Sequence, residues 1–330
     1  MPALITHDTF GQDVYDRIRG TVGARRDETE AFLLGNQGPD PLFYSILVPR
    51  LRAFNRLGTI MHSEKPNQLL AALKNSLAIL DENELRIGRA YALGFLCHYT
   101  LDSAMHPLVF FHEYRLCDAG EPGLSRSNGN EVHAVIESEF DEMVLFTRRN
   151  QTVATFDPSR AILKGDASVL ATVSKMYAYL ALTVYGLVIP SAMFSSSVKS
   201  FRVAQRLLHS STGTKRAVLG RMEELVRPYS FYRSMSHRPQ EITESEFDNH
   251  EHASWKNPFT GDDEKRSFWD IYDDALDHAV ANSNTFLTEG FDAQRAHEIT
   301  GDLDFSGKPT VAAVLSVQDH DPQADPSASA

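Results

Sequence analysis

The stretch YALGFLCHYTLDSAMHP, Tyr91 to Pro107, constrains this chain more than any other. It is apolar enough to be buried, yet it carries His98, Asp102 and His106. A helix advances about 100° per residue, so steps of four drift by only about 40° and the three side chains share one stripe. Burying two imidazoles and a carboxylate leaves several polar groups that each need a partner. A divalent cation would satisfy all three, because imidazole nitrogen and carboxylate oxygen are the ligands zinc takes where thiolate is absent.

Other donors of the same kind are spread over the first 140 positions. HAVIE sets His133 and Glu137 four apart on one helix face. His62 stands in TIMHSEK, His7 in ITHDTF, and Asp40 in GPDP between two stiffening prolines. His7, Asp40, His62, His98, Asp102, His106, His133 and Glu137 are too many for one tetrahedral ion. They suit two or three, with a carboxylate shared between two of them, and Asp102 has the placement to bridge. A lone histidine on an apolar face reads as a hydrogen-bonded core group, so the stripe carries the metal reading. His112, His209, His278, His297 and His320 stand in isolated contexts and are expected as surface or capping residues. His250 and His252, in DNHEHASW, are expected to be solvated in a loop, and Lys65 and Arg56 to face solvent rather than hold a phosphate.

The rest of the chain predicts helices. Asn-Gly hairpins between alternating runs are missing, while helical periodicity recurs over roughly 10–34, 66–80, 83–106, 130–149, 168–189, 193–210, 213–226 and 265–287. The expected fold class is all-α. Pro66 suits a first helical turn, and Asp81 or Asn83 suits the cap of the long helix. The apolar run Met176 to Pro190 is too short to span a bilayer and is expected as a buried core helix. Residues 238–265 form a long loop whose Phe247, Trp255 and Phe259 are expected to pack. One domain over 1–312 is expected, with a metal-binding half to about 150 and a helical half over 151–290. A tail, 313–330, without core-forming residues is expected to be disordered.

Charge restricts the partners. A formal charge of -12 with no long Lys/Arg run counts against a long nucleic acid. The stretch from Ser195 to Arg227 is locally cationic and reads first as a solvated helix pair, with lipid or another subunit as the other options. No basic segment precedes an apolar run at the N-terminus, and Cys97 and Cys117 offer no disulfide framework, so the expected compartment is the cytoplasm.

Five motifs in order, MPALITH, GNQGPDPLFY, MHSEK, AYALGFLCHYTLDSAMHP and HAVIESEFD, resemble the zinc-dependent phospholipase C family, in its unsecreted bacterial branch, which is related to the S1/P1-type nucleases. The match spans about residues 2–145, with a weaker echo to about 285 in HASWKNPFTGDDEKRSFWDIYDDAL. The resemblance implies a multi-helical fold of the phospholipase C / P1 nuclease kind holding up to three zinc ions. It gives His62 and His98 to one ion, and His7 with the terminal amine and carbonyl to a second. Asp102 bridges these two, and His106, His133 and Glu137 take a third. Asp40 either ligates the pair or orients the attacking water. The chain departs from the secreted members in starting Met-Pro, which makes a Pro2 amine the candidate terminal ligand. A shorter step from Asp102 to His106 leaves the count at two or three ions.

The implied activity is hydrolysis of a phosphoric ester by metal-activated hydroxide, on a small phosphodiester or a phospholipid headgroup. An S1/P1-like nuclease or nucleotidase is the alternative enzyme. A non-catalytic, zinc-stabilised helical binding protein is the alternative outside enzymes, and a metal-free helical scaffold the plainest one. Membrane contact has no amphipathic basic helix behind it at this level, and the oligomeric state has no signal.

Overall fold

The stripe lies on α5 (Glu82–Cys117), the longest helix of the described residues and one against which several others pack. A computed structural model describes residues 3–224 and 230–310. Asp81 caps α5, accepting from the backbone N–H groups of Asn83 and Glu84 while the Glu84 side chain reaches back to its N–H. The other helices of the described residues are α1 (Leu4–Val22), α2 (Arg26–Gly35), α3 (Leu57–Ser63), α4 (Pro66–Asn75), α6 (Gly129–Arg149), α7 (Pro158–Ala161), α8 (Ala167–Tyr185), α9 (Met193–Leu208), α10 (Thr214–Glu224), α11 (Phe231–Ser234), α12 (Phe268–Leu287) and α13 (Ala293–Thr300). The protein is predominantly α-helical, as its periodicity predicts.

Two glycines decide how closely α5 is covered. A methyl group on Gly35 would strike the Tyr91 carbonyl, and one on Gly94 would strike the Phe32 carbonyl. With neither present, α2 crosses α5 at backbone contact and delivers Asn36 and Gly38 against His98. Helices α1, α6, α8 and α12 cover α5 elsewhere. Buried side chains from Leu4 to Phe305 join in one hydrophobic core. Helix α8 is long and apolar enough to cross a membrane, with a mean hydropathy of 1.3. Its Val173, Met176, Tyr177 and Leu180 are buried, as the core-helix expectation requires, and Gly186 ends it with φ 68°.

Several boundaries differ from the periodicity. The expected helix over 10–34 is two, parted by Gly23 at φ 111°, a conformation only glycine adopts easily. Pro107 does not end α5. An interior proline costs a helix ~3 kcal/mol, and here packing against α6 and α12 outweighs it. The carbonyl that Pro107 leaves unpaired, that of Ser103, lies against Gly307, where any side chain would collide with it and with the proline ring. Helices α3, α7, α11 and α13 had no sequence expectation. The long loop holds a small hairpin, β1 (Trp255–Lys256) paired antiparallel with β2 (Asp263–Glu264), too short for an alternating pattern to register. Phe247 and Trp255 are buried there, as expected, and Phe259 stacks edge-on against Phe110. Pro2, His320 and the expected tail 313–330 lie outside the described residues.

Candidate metal centre

Five elements bring the eight donors together. Helix α1 supplies His7, the 3-10 segment Asp40–Leu47 supplies Asp40, and α3 supplies His62. Helix α5 supplies His98, Asp102 and His106, and α6 supplies His133 and Glu137. Their ligand atoms form three groups: His7, His98 and Asp102; Asp40, His62 and His98; and His106, His133 and Glu137. All eight side-chain donors read from the sequence therefore fall in a group.

Asp102 lies between two imidazoles of the first group, and His98 belongs to both the first and the second. Asp102 Oδ1 is 3.0 Å from His7 Nε2, and its Oδ2 is 3.1 Å from His98 Nε2. Asp40 Oδ1 lies 3.1 Å from His62 Nε2. Glu137 Oε1 lies 3.5 Å from His106 Nε2 and 3.4 Å from His133 Nε2. Donors at about 2.0–2.1 Å from a tetrahedral ion are themselves about 3.3 Å apart, so these separations match the edges of such polyhedra.

The far side of each ring explains why these atoms face one another. His62 Nδ1 is 2.7 Å from the Gly58 carbonyl, His98 Nδ1 3.2 Å from that of Asn36, and His106 Nδ1 2.8 Å from that of Phe305. His133 Nδ1 is 2.9 Å from Glu113 Oε2. Carbonyl and carboxylate oxygens only accept, so each Nδ1 carries a hydrogen, and in the neutral ring each Nε2 presents its lone pair. Four lone pairs thus point at carboxylate oxygens, an arrangement that repels unless a cation lies between. His98 Nε2 and His7 Nδ1 are buried and make no hydrogen bond at all. The donor set and its orphaned atoms fit a divalent metal.

In the protein's own electrostatics, protons take the cation's place. Burial works to lower the pKa of His106, but the Asp102 and Glu137 carboxylates outweigh it and raise the ring to about 9. His7 is raised in the same way, by Asp102 against burial. Burial alone would raise the carboxyls. Instead His98, His106 and His7 hold Asp102 well below its ordinary value, and His133 and His106 help to do the same for Glu137. Asp40 is lowered by His62 and His98 against burial. The carboxylates are ready ligands at neutral pH, and the raised pKa of His7 and His106 makes their protons compete with a metal.

Donors of all three groups line a cleft of about 1030 Å³ together with Phe43, Tyr44, Phe110 and Tyr232. Among the described residues, no Lys or Arg lines it.

Sequence reasoning missed several supports. Glu113 follows His106 by seven residues, so it continues the same stripe. Taking Pro107 as a stop hides it. Phe305 has no local signal. Its carbonyl holds His106, its N–H bonds the His62 carbonyl, and its ring lies 5.0 Å from His62 and 5.8 Å from His98. Asp141 accepts from the backbone of Ile5 and Thr6 and from His237 Nε2, pinning the start of α1 beside His7. Other expectations need correction. His112 is buried against Phe247, not at the surface, and burial lowers its pKa to about 4. Lys65 is exposed, as expected, and its Nζ donates to the Val184 carbonyl. His250 and His252 stay in the loop, bonded to Asp248 and paired with Asp270, away from the donor groups.

Glu113→Ala is expected to weaken zinc at the His106–His133–Glu137 group by about 10–100-fold, since it frees the ring it orients. Glu113→Gln, whose carbonyl still accepts from Nδ1, should recover most of that loss. Zinc titration of both variants against a chromogenic chelator checks this, and equal affinities for Ala and wild type would remove Glu113 from the site.

No family model, curated protein or solved structure matches this chain.

Proposed function

We propose that these groups hold two or three zinc ions and that the chain is a zinc-dependent phosphoric-ester hydrolase of the phospholipase C type. One observation carries the reading: four anchored imidazoles aim Nε2 at carboxylates that lie 3.1–3.5 Å away. Zinc bound there would lower the pKa of water towards neutrality and offset negative charge developing on a phosphoryl group. The chain's residues supply the rest. Asp102, with its two oxygens turned to different imidazoles, would bridge, and Asp40 stays ionised at neutral pH. Its lowered pKa suits a ligand or an acceptor that orients water better than a base that keeps a proton. The aromatic walls would cover the ester and exclude water. Among the described residues no Lys or Arg lines the cleft, so the metal would be the main cation met there by an anionic ester. This favours a single phosphoryl group over a long polynucleotide. The motif resemblance to zinc-dependent phospholipase C agrees with this reading, as does a helical scaffold.

A second reading keeps the zinc and drops the reaction: a non-catalytic, zinc-stabilised helical binding protein. It is the reading better backed by the donor groups, because it asks for nothing more than their burial within the helices. An assay separates the two. Zinc-loaded protein is offered phosphatidylcholine, a 3'-mononucleotide and an activated phosphodiester, with and without chelator. Chelator-sensitive turnover supports the hydrolase, and the preferred substrate separates the phospholipase from the nucleotidase. Full zinc content with no turnover on any of the three moves the assignment to the binding protein.

A further inference from the structure

Positive charge in this acidic chain is concentrated in two segments far apart in sequence. Residues 41–63 hold Arg50, Arg52 and Arg56, and residues 193–222 hold Lys199, Arg202, Arg206, Lys215, Arg216 and Arg221. Nine of the 32 Lys and Arg lie there and none of the 44 Asp and Glu. The fold joins the two segments: α9 packs on the 3-10 segment Asp40–Leu47, and the Tyr44 and Phe201 rings stack at 3.9 Å. Arg202 and Arg216 donate to backbone carbonyls, and Lys215 is half-buried. Arg50, Arg52, Arg56, Lys199, Arg206 and Arg221 are exposed.

The same two elements leave aliphatic side chains in water. Ile46 is 48 % exposed, Leu47 56 %, Val203 52 % and Leu207 62 %, and all four line the cleft. Lys199, Val203 and Leu207 follow at steps of four and share one face of α9. Arg52 Nε reaches the Ile46 carbonyl at 3.4 Å, so a guanidinium stands beside the aliphatic rim.

We propose that this rim is a docking face for an anionic lipid surface. Exposed aliphatics flanked by Lys199 and Arg52, on segments that carry no acid, are what an interfacial face needs. The apolar groups enter the acyl boundary, and each nearby Lys or Arg strengthens attachment roughly fivefold. A nucleic acid would use the cations but leave the aliphatics in water. A second copy docked face to face would oppose like charges. The proposal does not rest on the zinc reading, because none of the rim residues is a donor.

The test is sedimentation of the full-length, zinc-loaded protein with vesicles of phosphatidylcholine alone or with about one-third phosphatidylserine. Binding to the anionic vesicles is expected to be at least roughly tenfold tighter and to weaken with salt. Leu47→Asp with Leu207→Asp, and separately Arg52→Glu with Arg206→Glu, should each weaken it by about tenfold or more, with helical content and zinc content unchanged. The proposal is overturned if the protein ignores vesicles, or if both double variants bind like the wild type. It is equally overturned if the arginine variants abolish tighter binding to an oligonucleotide or self-association instead.

Discussion

Asp102→Asn is expected to strip the protein of every ion except the one at His106, His133 and Glu137. The two oxygens of Asp102 lie against two different imidazoles, 3.0 Å from His7 and 3.1 Å from His98. An amide keeps one acceptor, turns N–H donors towards the other position and carries no charge, so it cannot bridge. Zinc affinity at the His7 and His62–His98 positions should fall by on the order of 100-fold or more, beyond what loss of an outer-shell partner costs. Elemental analysis after dialysis reads the change as a drop in ions per chain. An unchanged zinc content would show that Asp102 does not join the groups. Under the hydrolase reading, turnover is lost with the ions. Under the binding reading, only the metal count and stability move.

Metal removal is the second large effect. An ion present at 1,000 times its Kd adds about 4 kcal/mol of stability, and two or more such ions correspond to roughly 10–20 °C in Tm for a chain of this size. The loss should also depend on pH, with a sign set by His106. Its pKa rises from 6.5 to about 9 in the folded, metal-free site. A group raised on folding stabilises fully below its unfolded value and loses that contribution as pH climbs through its folded value. The metal-free protein is therefore expected to become less stable between about pH 6.5 and 9. The increment added by zinc should grow over the same interval, because fewer protons compete for the rings. Melting curves with and without chelator across that interval measure both slopes. A chelator that leaves Tm unmoved would support the metal-free scaffold instead.

Local periodicity made some of this protein legible without a structure. His98, Asp102 and His106 share a stripe, and His133 and Glu137 a face, because both follow from residue spacing within one helix. The all-α class followed from the same pattern, with errors where tertiary packing overruled a local signal. Pro107 is tolerated inside α5 because the helices around it supply more than the lost hydrogen bond costs, and that misreading concealed Glu113. Gly23 parts α1 from α2 because its φ of 111° has no counterpart in a helix.

Chemical identity was therefore written in the chain: which side chains can bind a cation, and which of them share a helix face. Convergence was not, since it depends on α2 crossing α5 at Gly35 and Gly94 and on Asp141 pinning α1. Nor was ring orientation, because the acceptors at Gly58, Asn36 and Phe305 are main-chain carbonyls. Every residue has such a carbonyl, so no residue type marks the three that are used. The cationic rim has the same origin: its two segments meet only because α9 folds back onto Asp40–Leu47.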